Sequence, residues 1–325
     1  MNVLVTGANG LLGHHVVQQL LKDQHTVQMI VRSKQNIFFD VSRVTVFKGN
    51  FTDYQSLYQA AQGCDAIIHI AAITQTNLLQ PEEYNTINVY GTAQVLKVAN
   101  DLNIRRIVYI SSSNSVGYGT EQLPADERFN IQTPFTESFY AQSKVKAEQL
   151  LLESSAQGDQ HCIILNPAFM LGKYDTKPGS GKLLIMGYKR RILFIPKGGK
   201  NFVSVRSVAI AVCNALTMGQ NGERYLASGV NLSFREYYTL QKKVGGYRQT
   251  LVELPDGVLK LLGKAGDVLR SWGIRTDLCT MNLRQLIIRE YYNNEKATTA
   301  LKLPQTDIKV DIKEAIDWFK EQNMI

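Results

Sequence analysis

One segment constrains this chain more than any other. The run Val3-Leu4-Val5-Thr6 leads without a break into Gly7-Ala8-Asn9-Gly10-Leu11-Leu12-Gly13. A strand-like stretch, a glycine-rich turn and an apolar helical stretch follow one another in eleven residues. Gly7 permits the tight turn, Gly10 lets the backbone approach a diphosphate, and Gly13 lets the helix pack closely on the strand. The start of that helix offers free amides and the positive end of its dipole to phosphate oxygens. Asn9, Leu11 and Leu12 share the loop, so they join the three glycines as expected dinucleotide contacts.

The alternation begun there continues. Strand patterns occur at 3–6, 26–31, 44–47, 66–70, 107–111 and 162–165, with helical patterns at 11–21, 55–61, 89–102 and 140–152. Several strands are continuously apolar, as parallel strands covered on both faces must be. The expectation is an α/β fold: a Rossmann-type doubly wound parallel sheet with a smaller, mostly helical substrate domain interleaved in the C-terminal half. Two Gly/Pro clusters, 177–181 and 196–199, mark loops after Pro167, and strand-plus-helix character returns from Val203. The dinucleotide-binding part is therefore assigned to residues 1–166 and 203–228, the smaller part to 167–202 and 229–325. Ligands of such sheets bind beyond the carboxyl ends of the strands, here in the cleft between the two parts.

Composition excludes more than it assigns. With 325 residues, 44% of them hydrophobic and 20% charged, the chain can bury a core without staples. Cys64, Cys162, Cys213 and Cys279 form no metal-binding spacing, so no metal is expected. The strand pattern opens at Asn2 and no apolar stretch reaches membrane-spanning length, so no integral membrane segment and a cytoplasmic location are expected. The net charge of +8 favours anionic ligands, but the densest basic cluster, Lys189-Arg190-Arg191, has no interleaved aromatic platform. It reads as solvated surface, and nucleic acid is not expected as a partner.

The end of the second strand selects the dinucleotide. An acidic residue there would bind the ribose diol of NAD, whereas a basic one accommodates the 2′-phosphate of NADP. The sequence reads Val31-Arg32-Ser33-Lys34 with no acid nearby. Arg32 can grip a phosphate through two parallel hydrogen bonds and Lys34 adds a point charge. NADP is expected, with NAD as the alternative.

Tyr140 and Lys144 stand one helical turn apart on one face. An adjacent ammonium favours a phenolate and lowers a pKa that otherwise lies near 10, which would fit the pair for general acid/base work on a carbonyl or alcohol. Upstream, the strand at 107–110 runs into Ser111-Ser112-Ser113, whose hydroxyls lie at the cleft end of a central strand. One of them can hold a substrate oxygen, while the others satisfy backbone groups.

Together these motifs resemble the extended short-chain dehydrogenase/reductase family over most of the chain. Gly7, Gly10 and Gly13 are similar to that family's TGxxGxxG. Asp53, in Gly49-Asn50-Phe51-Thr52-Asp53, resembles the aspartate that contacts adenine, which brings Asn50 and Phe51 with it. His69-Ile70-Ala71-Ala72 resembles the segment lining the cofactor, and Asn88-Val89-Tyr90-Gly91-Thr92 the family's NVxGT. Asn166-Pro167-Ala168-Phe169 resembles the turn beside the nicotinamide. Ser113 matches the catalytic serine, with Tyr140 and Lys144 as its partners. The resemblance implies that Lys144 orients the ribose and lowers the Tyr140 pKa, that Ser113 holds the oxygen, and that Tyr140 passes the proton. Hydride then moves to or from C4 of the nicotinamide. On these grounds the expected cofactor contacts are Ala71, Ala72, Asn88, Ser111, Pro167, Ala168 and Phe169 besides Tyr140, Lys144 and the residues of the glycine loop, Arg32, Lys34, Asn50, Phe51 and Asp53.

Within the family, dehydratases resemble one another in an acidic pair after the catalytic hydroxyl, where this chain has Asn114-Ser115. Lys200-Asn201 and Arg206-Ser207 depart from the pattern of nucleotide-sugar enzymes. The nearest resemblance is to reductases of the dihydroflavonol-4-reductase kind, which implies an NADP(H)-dependent oxidoreductase acting on a small carbonyl or alcohol. A nucleotide-sugar epimerase with a retained cofactor is the alternative, and a non-catalytic dinucleotide sensor ranks below it. Family members often pair through a four-helix interface, which the helices at 89–102 and 140–152 would supply in a homodimer, while in a monomer their apolar residues would pack on the sheet. Finally, Val258, Leu261, Leu262, Ala265, Leu269 and Trp272 recur at helical spacing. That stripe is read as core packing on the smaller part, ahead of a lid or a membrane-surface contact.

Overall fold

The structure is a computed structural model and describes all residues, 1–325. Its first half runs β1 (Asn2–Thr6), α1 (Leu11–Lys22), β2 (Thr26–Val31), β3 (Thr45–Lys48), α2 (Tyr54–Ala61), β4 (Ala66–His69), α3 (Pro81–Tyr84), α4 (Tyr90–Asp101), β5 (Arg106–Ile110), α5 (Phe139–Gln157) and β6 (His161–Pro167). The second half continues with β7 (Phe169–Leu171), α6 (Gly181–Gly187), β8 (Ile192–Ile195), β9 (Gly199–Ser204), α7 (Val205–Met218), β10 (Arg224–Ala227), β11 (Val230–Ser233), α8 (Phe234–Gly245), β12 (Thr250–Glu253), α9 (Asp256–Ser271), α10 (Thr280–Gln285), β13 (Arg289–Glu290), α11 (Glu295–Leu301) and α12 (Ile308–Glu321).

Seven strands form one parallel sheet in the order β10-β6-β5-β4-β1-β2-β3. The order reverses between β1 and β4, so the chain leaves a crevice at the carboxyl ends of those two strands. The apolar side chains explain both layers. Val3 and Val5 of β1 face a core shared with Leu12, Val16 and Leu20 of α1 and Val208 and Val212 of α7. Leu4 faces the opposite core, with Leu57 of α2, Val95 and Val98 of α4, and Ala147 and Leu151 of α5. All of these are essentially inaccessible, and each contributes about 1.5–3 kcal/mol by leaving water where it is a Val or Leu.

The smaller part is mostly helical and also carries two small sheets. β9 pairs with β11, β13 and β7, while β8 and β12 form a two-stranded ribbon. Strands of two to six residues show too little period to be seen in the sequence. Their core gathers Leu184, Phe202, Phe234, Tyr237, Ile312, Ile316 and Phe319.

Helix α9 corrects one expectation. Its buried residues are Leu259, Gly263 and Gly266, and the two glycines sit against residues 278–280. A Cβ at Gly266 would lie 1.2 Å from the Leu278 carbonyl oxygen, so glycine is what allows that approach. The apolar stripe read as core packing is the outward face. Val258, Leu261, Leu262, Val268, Leu269 and Trp272 are all exposed.

Candidate active site

The carboxyl ends of β1, β2, β4, β5 and β6 bring the motifs to one edge of the sheet. Gly7 closes the first turn in the left-handed region at φ +74°, and a Cβ there would come within 2.7 Å of the Ala71 amide nitrogen. A Cβ at Gly13 would lie 2.1 Å from the Gly7 carbonyl oxygen. The first turn of α1 has neither an acidic residue nor a side-chain cap. A bare, dipole-positive helix end behind a glycine cradle fits a diphosphate. Asn9 lies in the turn and Leu11 and Leu12 open the helix, so Leu12, whose side chain is buried, can contribute only its backbone.

Beyond β2, Arg32 and Lys34 are exposed, and neither forms an ion pair. The loop that carries them is pinned from behind. Phe38 stacks on Tyr174 at 5.7 Å and meets Trp318 edge-on at 4.8 Å, while His14 of α1 packs on Phe38, Phe39 and Tyr174. This aromatic anchor draws on α1, the loop after β7 and α12. Those segments are so far apart in the chain that no local pattern reveals it.

Thr6 ties β1 to β4. Its hydroxyl oxygen accepts from the Ala71 amide at 3.2 Å and pairs with His69 Nδ1 at 2.7 Å, and His69 Nε2 reaches Thr92 Oγ1 at 3.2 Å. Burial, then the nearby Lys144 charge, lowers the His69 pKa to about 3, so the ring is a neutral brace. The Asn88 side chain is engaged within the fold. Its Oδ1 accepts from the Ile73 amide at 2.8 Å, and its Nδ2 donates to the Ile73 carbonyl at 3.1 Å and to Ser143 Oγ at 2.9 Å. With its side chain so engaged, Asn88 fixes the loop after Ala71 and Ala72 to α5. It sits in a wide π-type turn over Asn85–Val89. Asp53 likewise caps α2, accepting from the Ser56 amide at 2.8 Å, and Asn50 accepts from the Thr52 amide at 3.3 Å. Phe51 packs on Gly91 and on the His69 ring.

At the head of α5, Tyr140 and Lys144 are both buried. Lys144 Nζ donates to the Ile110 carbonyl at 2.8 Å and to the Tyr109 hydroxyl at 3.2 Å. Burial lowers its pKa to about 7, and Glu148 works against that fall. The expected lowering at Tyr140 is absent. Burial raises its pKa, and the countering partner is the Ser112 hydroxyl, because the Lys144 ammonium is drawn to Ile110 and Tyr109 instead.

The serines divide their duties. Ser112 caps the 3-10 turn Ser113–Ser115, accepting from the Asn114 amide at 3.2 Å, and faces Tyr140. Ser113, expected beside Tyr140, is buried toward Tyr292, whose hydroxyl donates to the Ser113 carbonyl at 3.5 Å. Ser111 donates to the buried carboxylate of Glu148, as do Ser115 at 2.5 Å and Asn166 Nδ2 at 2.7 Å. Arg224 reaches the other oxygen of Glu148 at 3.5 Å. Glu148 was not anticipated, although its place one turn after Lys144 was a usable signal.

After β6, the Ala168 amide of the Pro167–Ala168 turn is tied to the Ala227 carbonyl at 3.1 Å. Phe169 lies edge-on to Phe202, with Lys200 Nζ 5.6 Å above its ring and Lys200 paired to buried Glu290. A cavity of about 150 Å³ is bounded by Thr76, Leu78, Tyr84, Ser138, Arg270 and Met281; Tyr140 does not line it, and its ring lies 6.5 Å from that of Tyr84. No group of three or more His, Cys, Asp or Glu side chains is placed to hold a metal, and no helix is long and apolar enough to cross a membrane.

The sequence and the fold both match known proteins. The profile of the NAD dependent epimerase/dehydratase family matches residues 3–227. The chain belongs to this family. It is 28% identical to a protein named as a dihydroflavonol 4-reductase in Synechocystis, over 99% of this chain and 95% of that one. It is 26% identical to sterol demethylase protein B of Methylococcus capsulatus over the full length of both. The fold of Thermus thermophilus UDP-glucose 4-epimerase, solved in complex with NAD, superimposes with a TM-score of 0.78 at 17% identity, covering 98% and 99% of the two chains. As a family member of the extended short-chain dehydrogenase/reductase type, the protein is an enzyme, and its glycine cradle suits the nicotinamide dinucleotide the family uses.

Proposed function

We propose that the protein is an NADP(H)-dependent oxidoreductase that interconverts a carbonyl and an alcohol on a low-polarity small molecule. The observation that carries the cofactor choice is the pair Arg32 and Lys34, exposed at the end of β2 and free of carboxylate partners. Two cations there match a 2′-phosphate, and the Phe38–Tyr174–Trp318 anchor keeps their loop in place. The substrate class is supported by the named relatives, a dihydroflavonol reductase and a sterol-processing protein.

In this reading Gly7, Gly10, Gly13 and the first turn of α1 hold the diphosphate. The bound nicotinamide supplies or accepts the hydride. Ser112 donates a hydrogen bond to the substrate oxygen, and the Tyr140 phenol gives that oxygen its proton or takes it back. Lys144, held by the Ile110 carbonyl, would present its ammonium to the ribose when the dinucleotide is bound. Ser111 and Ser115 are held on Glu148 and keep the turn under Ser112 rigid.

The test is the ratio of NADPH to NADH dissociation constants for the wild type and Arg32→Ala. A charge-assisted contact of this kind is worth about 1.5–3 kcal/mol, so the wild type prefers NADPH by about tenfold to a hundredfold and the variant loses most of that preference. Equal binding of NADH, or NAD that co-purifies and does not exchange, rejects this reading in favour of an epimerase with a retained cofactor.

A further inference from the structure

We infer that the outward face of α9, together with the β8–β12 ribbon, docks the enzyme on the surface of an anionic lipid bilayer. In α9, Val258, Leu261, Leu262, Ala265, Val268, Leu269 and Trp272 fall on one arc of the helix, opposite the closely packed Leu259, Gly263 and Gly266. Leu261 is 70% exposed and Trp272 72%, values that place whole apolar side chains in water. Ile274 and Leu278 extend the surface beyond the helix, and both are exposed. Only Leu254 and Pro255 separate α9 from β12, and on that ribbon Ile192, Phe194 and Val252 also point outward. Lys182 of α6 reaches Asp277 in the loop after α9, which brings exposed Met186, one turn further along α6, to the same side.

The charges choose the occupant. Lys260 and Lys264 border the apolar arc of α9, and Lys189, Arg190 and Arg191 precede the ribbon. All five are exposed, and none has a carboxylate partner. The acid nearest the middle of α9, Asp267, is bonded to the Thr280 amide. A second copy meeting this face about a two-fold axis would set these five cations against their equivalents, with the exposed carboxylate of Asp267 on α9 beside them. Lipid phosphates provide what the face lacks. A convex apolar helix with lysines along one border and a tryptophan at its end is the form that lies in a headgroup layer.

Arg270 on the inner side of α9 donates to the Leu78 carbonyl at 2.9 Å, and both residues line the cavity next to Tyr84, so the docking helix forms part of that cavity's wall.

The test uses the full chain and does not depend on which substrate is turned over. Sedimentation is measured with vesicles of phosphatidylcholine alone and with about one third phosphatidylglycerol, alongside tryptophan emission; Trp318 is already buried, so a blue shift reports Trp272. The expected result is low-salt binding to the anionic vesicles with a blue shift. Lys260→Gln/Lys264→Gln should weaken partitioning about fivefold for each lysine. Leu261→Ser/Val268→Ser/Trp272→Ser should abolish it while the melting temperature and dinucleotide affinity stay unchanged. A chain that remains in the supernatant at low salt overturns the inference. So does binding that both variants retain, or a self-association that the triple variant dissolves.

Discussion

Ser112 turns its hydroxyl toward the buried phenol of Tyr140 while its carbonyl accepts from Asn166 Nδ2 at 3.1 Å. The serine is therefore held from both sides, by the Asn114 amide on its oxygen and by Asn166 on its backbone. A donor pre-set beside the proton carrier costs no reorganisation when the substrate oxygen becomes charged.

Ser112→Ala should accordingly lower kcat by about a hundredfold or more, the usual cost of losing one such donor. Ser113→Ala, at a buried residue whose carbonyl accepts from Tyr292, should leave kcat within a few-fold. Steady-state kinetics on any accepted carbonyl substrate decide the matter, and the reverse ranking would return the role to Ser113. Tyr140→Phe should abolish turnover and leave dinucleotide binding in place.

The division among the three serines shows how much of the site was legible. Glycine spacing, the continuous apolar strands and the Tyr140–Lys144 separation each depend on local rules, and all of them were visible in the chain. Which hydroxyl meets Tyr140 depends on how the chain leaves β5, where Ser112 becomes the cap of a three-residue turn. No local rule separates three consecutive serines. Asn88 illustrates the same limit, since its resemblance to the family's NVxGT segment marked it as a cofactor contact and no local rule foretold that its three side-chain hydrogen bonds go to Ile73 and Ser143. Periodicity found the stripe of α9 correctly and could not say which way it faces. Gly263 and Gly266 are what turn the packed side inward.

Glu148 links stability to the charge of Lys144. It accepts from Ser111, Ser115 and Asn166 and lies 3.5 Å from Arg224. Glu148→Gln should cost about 2 kcal/mol, because hydrogen bonds to a buried charge are among the stronger ones. It should also lower the Lys144 pKa further, since Glu148 opposes the effect of burial there. If the ammonium is the working form, kcat/KM for the cofactor falls as pH rises through about 7 in the wild type. The falling limb then moves to lower pH in Glu148→Gln. A pH profile whose limb stays in place removes Glu148 from any role beyond packing.

His15 sets an acid limit on the fold. It is buried on α1 against Tyr174, with Nε2 3.3 Å from the Lys173 carbonyl, and burial lowers its pKa to about 4. The folded value lies below the unfolded one, near 6.5, so the unfolded chain takes up the proton first. The stability contributed by the neutral ring is complete above pH about 6.5 and is lost as pH falls toward 4. A displacement of that size corresponds to about 3 kcal/mol. His69, lowered to about 3, adds to the same window, whereas Lys144 changes stability only above neutrality. Calorimetry between pH 7 and 4.5 should therefore show a steep fall in Tm for the wild type. The fall should be shallower in His15→Phe, which keeps a ring against Tyr174 and has nothing to protonate. Equal slopes in the two proteins would mean that the acid sensitivity belongs to His14, His69 and the carboxylates.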